Sequence, residues 1–580
     1  MKYALGNMLN GAGGLNADQL SLDLQFAADK TLTARKGPTP VFTRGSSATQ
    51  VGASGLIEYA PENLALQSEN FGTTWSNSTG NALTLNDALS PTGTLTADRV
   101  DFPATAAAGL VRSLTQNFGS AVAGNGPVTA SVWLRTVSGT STVYLTLLDG
   151  GAPWQRVHVA CNVTTAWTRF SVTLNTPTLS LFMTVGPDTR TTNGTPAQPA
   201  VQDAASVYAW GAQLERFSSA RAYIPTTTAA VYGARFDHDP VTLACKGLLI
   251  EESRTNIILQ SEDFGTTWTA TQATVSTNAA TAPNGLVTAD KIIPNLAAGP
   301  LSRVAQVFTL TGAHTMSVFA KASEWGWILI SYGPISNTGV WFNLTNGTIG
   351  TQTAGLVGSI IPYGNGWYKC IVAFTGAGTS LNARVRAVNA DNESTLGDGT
   401  SGVFVWGAQL EAGSFPTSYI PTTTASLARS ADVCSITGGA FSGFWNRFAG
   451  TCVIGVGSSV AGGGRFISNN SAARTLEMWT TTLISNIDFL EVSGGQELRV
   501  ATGITYPIKV GLAYAINDYQ SSYNGLLGGS DTNTGGTIPD PNALHIGNLS
   551  GSAPRLTGHI QSIRYFKKRL PNAKLQTLTV

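Results

Sequence analysis

The sequence predicts an all-β protein: two copies of one sandwich domain, then a third unit of a different kind. Three observations carry this prediction: the composition, period-two hydrophobic alternation and a long internal repeat. Charged residues make up 12% of the 580 residues and hydrophobic ones 42%, with 64 Gly and 25 Pro. Charge is about half of that in an ordinary globular domain, while the apolar fraction is enough for packed cores. Phe170, Val172 and Leu174 alternate with Ser171 and Thr173. Leu381, Ala383, Val385 and Ala387 alternate with Asn382, Arg384 and Arg386. Such alternation buries one face of a strand and wets the other. A formal net charge of +1 argues against an electrostatic grip on nucleic acid or an anionic membrane. No apolar run is long enough to span a bilayer.

The chain opens with an arm, residues 1–61. Asn7 and Asn10 make its start too polar for a secretory signal. Further on, Leu20, Leu22, Leu24 and Phe26 alternate with Ser21, Asp23 and Gln25, which predicts a strand. The arm holds no partner for that strand, so the expectation is that it adds to the sheet edge of another subunit and attaches the protein.

The repeat follows. NLALQSENFGTTW at 63–75 recurs as NIILQSEDFGTTW at 256–268. PTG at 91–93 with TADR at 96–99 returns as PNG at 283–285 with TADK at 288–291. WGAQLE stands at 210–215 and again at 406–411, followed in each case by YIPTTT, at 223–228 and 419–424. Landmarks in one order at a nearly constant offset define two homologous domains, 62–228 and 256–424. A period of this length means tandem domains and not a solenoid. Between them, 229–255 reads as a linker whose acid clusters, Asp237-His238-Asp239 and Glu251-Glu252, are expected in solvated turns. Residues 425–580 form the third unit. There Asn524-Gly525 signals a hairpin, and residues 571–578 a short helix with Pro571 at its start. The five cysteines have no metal-ligand spacing and read as free thiols of a reducing compartment.

The repeated opening motif, the central P-x-G with TAD, and the closing WGAQLE resemble carbohydrate-binding-module-type jelly rolls found in bacteriophage head-spike and tail-fibre proteins. FTRGSSAT at 42–49, RFDHDP at 235–240 and GLLIEESRTN at 247–256 resemble the same group. LHIG at 544–547 and LTGHIQSIRYFKKRLPNAKLQ at 556–576 are similar to the last strand and helix of a laminin-G or concanavalin-A-like lectin sandwich. The resemblance implies two tandem jelly-roll β-sandwiches followed by a lectin-like β-sandwich. It also implies a virion protein, made in the host cytoplasm, that adheres to host surface glycans without being an enzyme. Its partners would be other virion proteins through the arm, a host cell-surface glycan and further copies of itself, with a trimer as the expectation. No nucleic acid and no membrane insertion are expected. The alternatives are an architectural or decoration role and a polysaccharide depolymerase.

Sugars lie with their C–H faces on aromatic rings while polar side chains bond the rim. The tryptophans matched between repeats (Trp75 with Trp268, Trp133 with Phe319, Trp167 with Trp367, Trp210 with Trp406) read as core. The remaining Trp154, Trp325, Trp327, Trp341, Trp445 and Trp479 are the carbohydrate-binding candidates. Trp325 and Trp327, two apart, are expected on one face of a strand. Modules of this resemblance often hold Ca²⁺, with Glu69 and Glu262 standing where the opening acid would sit. WGA replaces the expected Asp pair in both closing strands, so no metal or other cofactor is expected. Asp98 and Asp290 read as turn caps. No catalytic residue is assigned: carboxylate pairs are scarce, and the histidines (158, 238, 314, 545, 559) lack ligand spacing. The basic run 564–569 reads as a solvated turn.

Overall fold

The computed structural model describes residues 20–119, 126–150, 155–175, 177, 179–190, 198–296, 302–333, 338–393, 396–459, 465–468, 476–480, 487–491, 496–499, 505–532, 542–547 and 556–580. The fold is all-β with three short helices among the described residues, and it divides into two compact units. One is Tyr59–Gly233; the other joins Met1–Glu58 to Ala234–Val580.

Tyr59–Gly233 is an antiparallel sandwich of two five-stranded sheets. One sheet runs Gln155–Val163, Ser141–Asp149, Leu181–Val185, Leu114–Asn117, Ser76–Asn77. The other runs Thr168–Leu174, Val128–Thr136, Ala205–Glu215, Leu95–Phe102, Ala82–Leu89. Leu145, Leu147, Met183 and Val185 from the first sheet meet Val132, Leu134, Val207 and Leu214 from the second in one core.

The second repeat, in the other unit, uses the same plan with longer strands. Arg303–Ala322 and Trp367–Val388 each do the work of two strands of the first repeat, and they pair with one another over most of their length. The closing strands match in register. Trp133 pairs with Trp210 and Phe319 with Trp406, each after a bulge at the same place. The bulge is permitted by Gly211 (φ +67°) and Gly407 (φ +62°), where a side chain would strike the ring of Trp133 or Phe319.

The lectin-like sandwich redraws the expected boundaries. Its eight-stranded sheet runs Arg235–His238, Cys245–Ile250, Gly558–Phe566, Ala449–Ser459, Ile508–Ala515, Asp518–Tyr523, Leu526–Asp531, and Leu20–Leu24 pairs with Gly558–Phe566. The facing sheet begins Val41–Thr43, Val433–Thr437, Ala543–Ile546. The expected attachment strand is therefore paired inside its own chain, Leu24 opposite Ile563, and neither another subunit nor the first repeat supplies its partner. The physical reason is its apolar face: Leu22, Leu24 and Phe26 are fully buried beside Leu248, Ile250, Ile454 and Ile563. The expected linker is likewise two strands of this sheet. The hairpin at Asn524-Gly525, both with positive φ, and the helix Asn572–Thr579 after Pro571 stand where the sequence places them.

Candidate functional site

Of the linker acids expected in solvated turns, Asp237 and Glu251 are buried, which corrects that reading for these two, while Asp239 and Glu252 are half-buried and Asp239 accepts the N–H groups of Val241 and Thr242 in a turn. Arg235 donates to Glu251 Oε2 at 2.6 Å and also bonds Asp432, while Arg44 reaches Asp432 at 3.0 Å and Arg429 lies 3.5 Å from Glu251. All five groups are at most 7% exposed. Burial alone would raise the Glu251 carboxyl. Arg429, Arg235 and the Ser418 donors outweigh it and hold the group far below the ordinary carboxylate range. This hub is structural, because every charge in it has a partner.

The framework acids are also spoken for. Asp98 accepts the N–H groups of Phe71 and Asn86, and Asp290 those of Phe264 and Asn278, at 2.7–2.9 Å. Both therefore cap turns, as expected. Glu69 and Glu262 accept the hydroxyls of Tyr223 and Tyr419, each at 3.1 Å. Among the described residues no three His, Cys, Asp or Glu gather as a metal site.

The tryptophan candidates separate. Trp154 lies outside the described residues, and of Trp479 only the strand Leu476–Thr480 is described. Trp445 stacks on Tyr565 (centroids 4.4 Å apart) and packs against Phe441 and Tyr514 in the lectin-like core, so it offers no free face. Trp325 and Trp327 do not share a face. The strand begins at Trp327, and Trp325 before it packs toward the repeat core while Trp327 joins Trp341 on the opposite side. Trp341 is 1% exposed, which corrects the expectation of an open platform: its ring is covered beside Leu329 and Val388. The repeat-matched tryptophans pack as core in Trp75, Trp268, Trp210, Trp367 and Trp406, whereas Trp133 and Trp167 are half-buried under Arg169 and Arg135.

Trp327 and Trp341 lead to a face that the sequence reading passed over. In Trp327–Gly333, Ile328 and Ile330 point into the core, so Trp327, Leu329 and Ser331 lie on the opposite side, where Leu329 and Ser331 are fully buried as well. The register sets Leu329 between Trp341 and Arg386, and Ser331 beside Arg384. Continuing it places Arg303 next to Arg386, since Val304 pairs with Val385. Arg386 Nε donates to the carbonyl of Ser302 at 2.9 Å. Arg384 and Arg386 are 3% and 2% exposed, while Arg303 and Trp327 are half-buried at the margins. Burial, then the proximity of Arg303 and Arg384, pulls the Arg386 guanidinium down to about 10, and the same two kinds of cause lower Arg384. Ser302 Oγ, Ser331 Oγ and Trp341 Nε1 are buried with no hydrogen-bond partner among the described residues.

The matching face of the first repeat carries different chemistry. There Thr146 pairs with Thr184 and His158, and Asp188 receives both arms of Arg190. Gln198 bridges the N–H of Asp188 and the hydroxyl of Thr146. A cavity of about 440 Å³ in the larger unit is lined by Asp237, Glu251, Lys369 and His559. Its charged groups are already bonded to protein: Lys369 to the carbonyl of Thr417 at 3.0 Å, and Asp237 to His559 at 2.9 Å. On the side of the second repeat's sheet away from its core, Ser331, Trp341, Arg384 and Arg386 come together, all of them buried.

No protein-family model matches the sequence, and no curated protein matches it. Among solved structures, the CBM40 carbohydrate-binding module of the Ruminococcus gnavus IT-sialidase, bound to α2,3-sialyllactose, is similar at 14% identity. That match covers 23% of this chain and 84% of the module, with a TM-score of 0.21. The tandem CBM22 domains of Paenibacillus barcinonensis Xyn10C share 12% identity over 61% of this chain and 98% of theirs, TM-score 0.20. The LG1-3 region of the laminin α2 chain shares 9% over 82% of this chain and 97% of its own, TM-score 0.15.

Proposed function

We propose that the protein is a non-enzymatic structural protein of a bacteriophage particle, on a head or tail fibre, that presents its sandwich modules to glycans of the host surface. The supporting observation is the repeat itself: one chain carries two sandwich modules with the same closing-strand register, Trp133 opposite Trp210 and Phe319 opposite Trp406, the tandem arrangement that multivalent adhesion uses. The phage setting is supported by the repeated motifs and the lectin-like C-terminal strings. Because residues 20–24 and 41–43 are strands of the lectin-like sandwich, attachment through the arm falls to residues 1–19. Copies joined as a homo-oligomer, a trimer in this proposal, multiply weak sugar contacts by effective concentration, a gain of about 10²–10⁴ in avidity.

The test is a glycan array and a host-cell pull-down with the full-length chain. Binding to host polysaccharide, stronger for the oligomer than for isolated modules, is the expected result. Blank results in both point to a purely architectural role, and release of short oligosaccharides from capsule points to a depolymerase.

A further inference from the structure

We propose that two copies of the chain join through an open side of the first repeat: the strand Thr168–Leu174 of one copy pairs antiparallel with the same strand of the other, about a two-fold axis at Ser171. The contact goes beyond the adhesion reading and does not depend on glycan binding.

The first argument is what the two repeats do with the same side of the sandwich. In the second repeat both margins of that side carry a further strand. Thr348–Gln352 pairs with Val340–Asn343, and Val357–Pro362 runs along Trp367–Val388 with Ile360 opposite Cys370. Trp167 corresponds to Trp367, so Thr168–Leu174 is the counterpart of the edge that Val357–Pro362 covers. The first repeat has neither added strand among its described residues. Gln155–Val163 and Thr168–Leu174 are the outermost strands of their sheets, and among the described residues no strand pairs with their outer edges. An outermost strand presents a row of unpaired N–H and C=O groups. The second repeat shows that this edge accepts another strand.

The second argument is the apolar margin. Val157, Val159 and Phe170, all on these two strands, are only partly buried against the core of the first repeat. In the second repeat Ile349, Leu356 and Ile360, on or beside the two added strands, pack against the corresponding core. A second copy brings its own Phe170 and Val172 to the margin that Ile360 closes. Thr168 and Ser171 are exposed, so the edge is open to an arriving strand.

The third argument selects the occupant. With the axis at Ser171, Phe170 faces Val172 on the core side, and Arg169 faces Thr173 on the other. No like charges meet. Arg169 is held by its own sheet, donating to Ser131 Oγ at 2.9 Å and lying over Trp133. The strand has no Pro, no Lys and no bulge: its register with Val128–Thr136 runs unbroken through seven pairs. Those are the devices that guard exposed edges, and the opposite edge of the same sheet, Ala82–Leu89, has one in its shifted register. The pattern is complementary to itself, so the partner it fits is a second copy. A two-fold contact closes on one partner, and a trimer built through other surfaces would be doubled by it.

The experiment is oxidation of full-length Ser171→Cys, read on a non-reducing gel against the wild type. Directly opposite residues of an antiparallel pair are about 4.5–5.5 Å apart at Cα, within reach of a disulfide. The expected result is a covalent chain dimer. Thr168→Cys should give none, because the same register sets it about 20 Å from its copy, six residues along the strand. In light scattering the wild type should contain an even number of chains. Ser171→Glu and Ser171→Lys, each placing like charges across the axis, should each halve that mass at an unchanged melting temperature, and mixing the two should restore it. No cross-link at Ser171→Cys, equal cross-linking by Thr168→Cys, or a wild type with an odd number of chains overturns the inference. Glycan binding by a protein that fails these tests leaves the adhesion reading standing.

Discussion

His559 Nε2 lies 2.9 Å from Asp237 Oδ2, although 322 residues separate them, and its Nδ1 lies 2.6 Å from Ser458 Oγ. The three side chains link three strands of the lectin-like sheet, and Asp237 Oδ1 also takes the N–H of Val51 at 2.7 Å. Asp237→Ala leaves both the imidazole Nε2 and that N–H buried without a partner. The expected cost is about 1–3 kcal/mol per orphaned group, read as a lower denaturant midpoint. An unchanged midpoint would show the chain of hydrogen bonds to be idle.

The hub around Arg235 gives a larger effect. Glu251→Gln keeps the shape but leaves Arg235 and Arg429 facing Asp432 alone. Removing one partner of a buried pair costs about 3–5 kcal/mol. Because the native Glu251 carboxyl is held far below its ordinary value, its contribution is complete above the unfolded value of about 4.5 and fades as pH falls below it. The variant should lose stability at pH 7 and lie closer to the wild type near pH 3.

Two other carboxyls of the second repeat work in the opposite sense. Burial raises Glu262 to about 7 despite its hydrogen bond from Tyr419. Burial also raises Asp290 to about 6 despite the N–H groups of Asn278 and Phe264. A folded value above the unfolded one means stability that is full below the unfolded value and lost as pH rises through the folded one. The melting temperature of the larger unit should therefore rise as pH falls from 8 to 5, and Glu262→Gln should flatten that rise. Parallel wild-type and variant profiles would mean that Glu262 is ionised throughout.

The repeated framework was legible because the chain states it twice. Trp210 and Trp406 bond Thr96 and Thr288 alike, at 3.0 and 3.1 Å, and Trp167 and Trp367 both donate to a backbone carbonyl at 3.1 Å. Alternation also separated the core side of residues 381–388 from the side bearing Arg384 and Arg386. It could not say which strands lay beside them, and a search for aromatic rings and acids passed over cations. Spacing alone misled at Trp325 and Trp327, because a pair two apart shares a face only if both lie in the strand. The composite lectin-like sheet was hidden for a different reason. Pairing between Leu24 and Ile563 is a choice of partner, and a strand's own pattern fixes its buried face but not its neighbour.

That pairing yields the last prediction. Leu24 is fully buried in the lectin-like core, and Leu145 is fully buried in the core of Tyr59–Gly233. A Leu→Ala change at such a site costs about 2–5 kcal/mol, the lost transfer energy plus the cavity left behind. The core around Leu145 is drawn wholly from residues 64–214, so the two units should melt as separable transitions in a calorimeter. Leu24→Ala should lower the transition of the larger unit and spare the other, and Leu145→Ala should do the reverse. The N-terminal strand adds only a short edge to its sheet, yet Leu22, Leu24 and Phe26 fill the space beside Ile454 and Ile563, so its truncation acts through packing more than through lost backbone bonds. A Leu24→Ala protein that melts like the wild type but no longer forms oligomers would return the strand to the edge of another subunit.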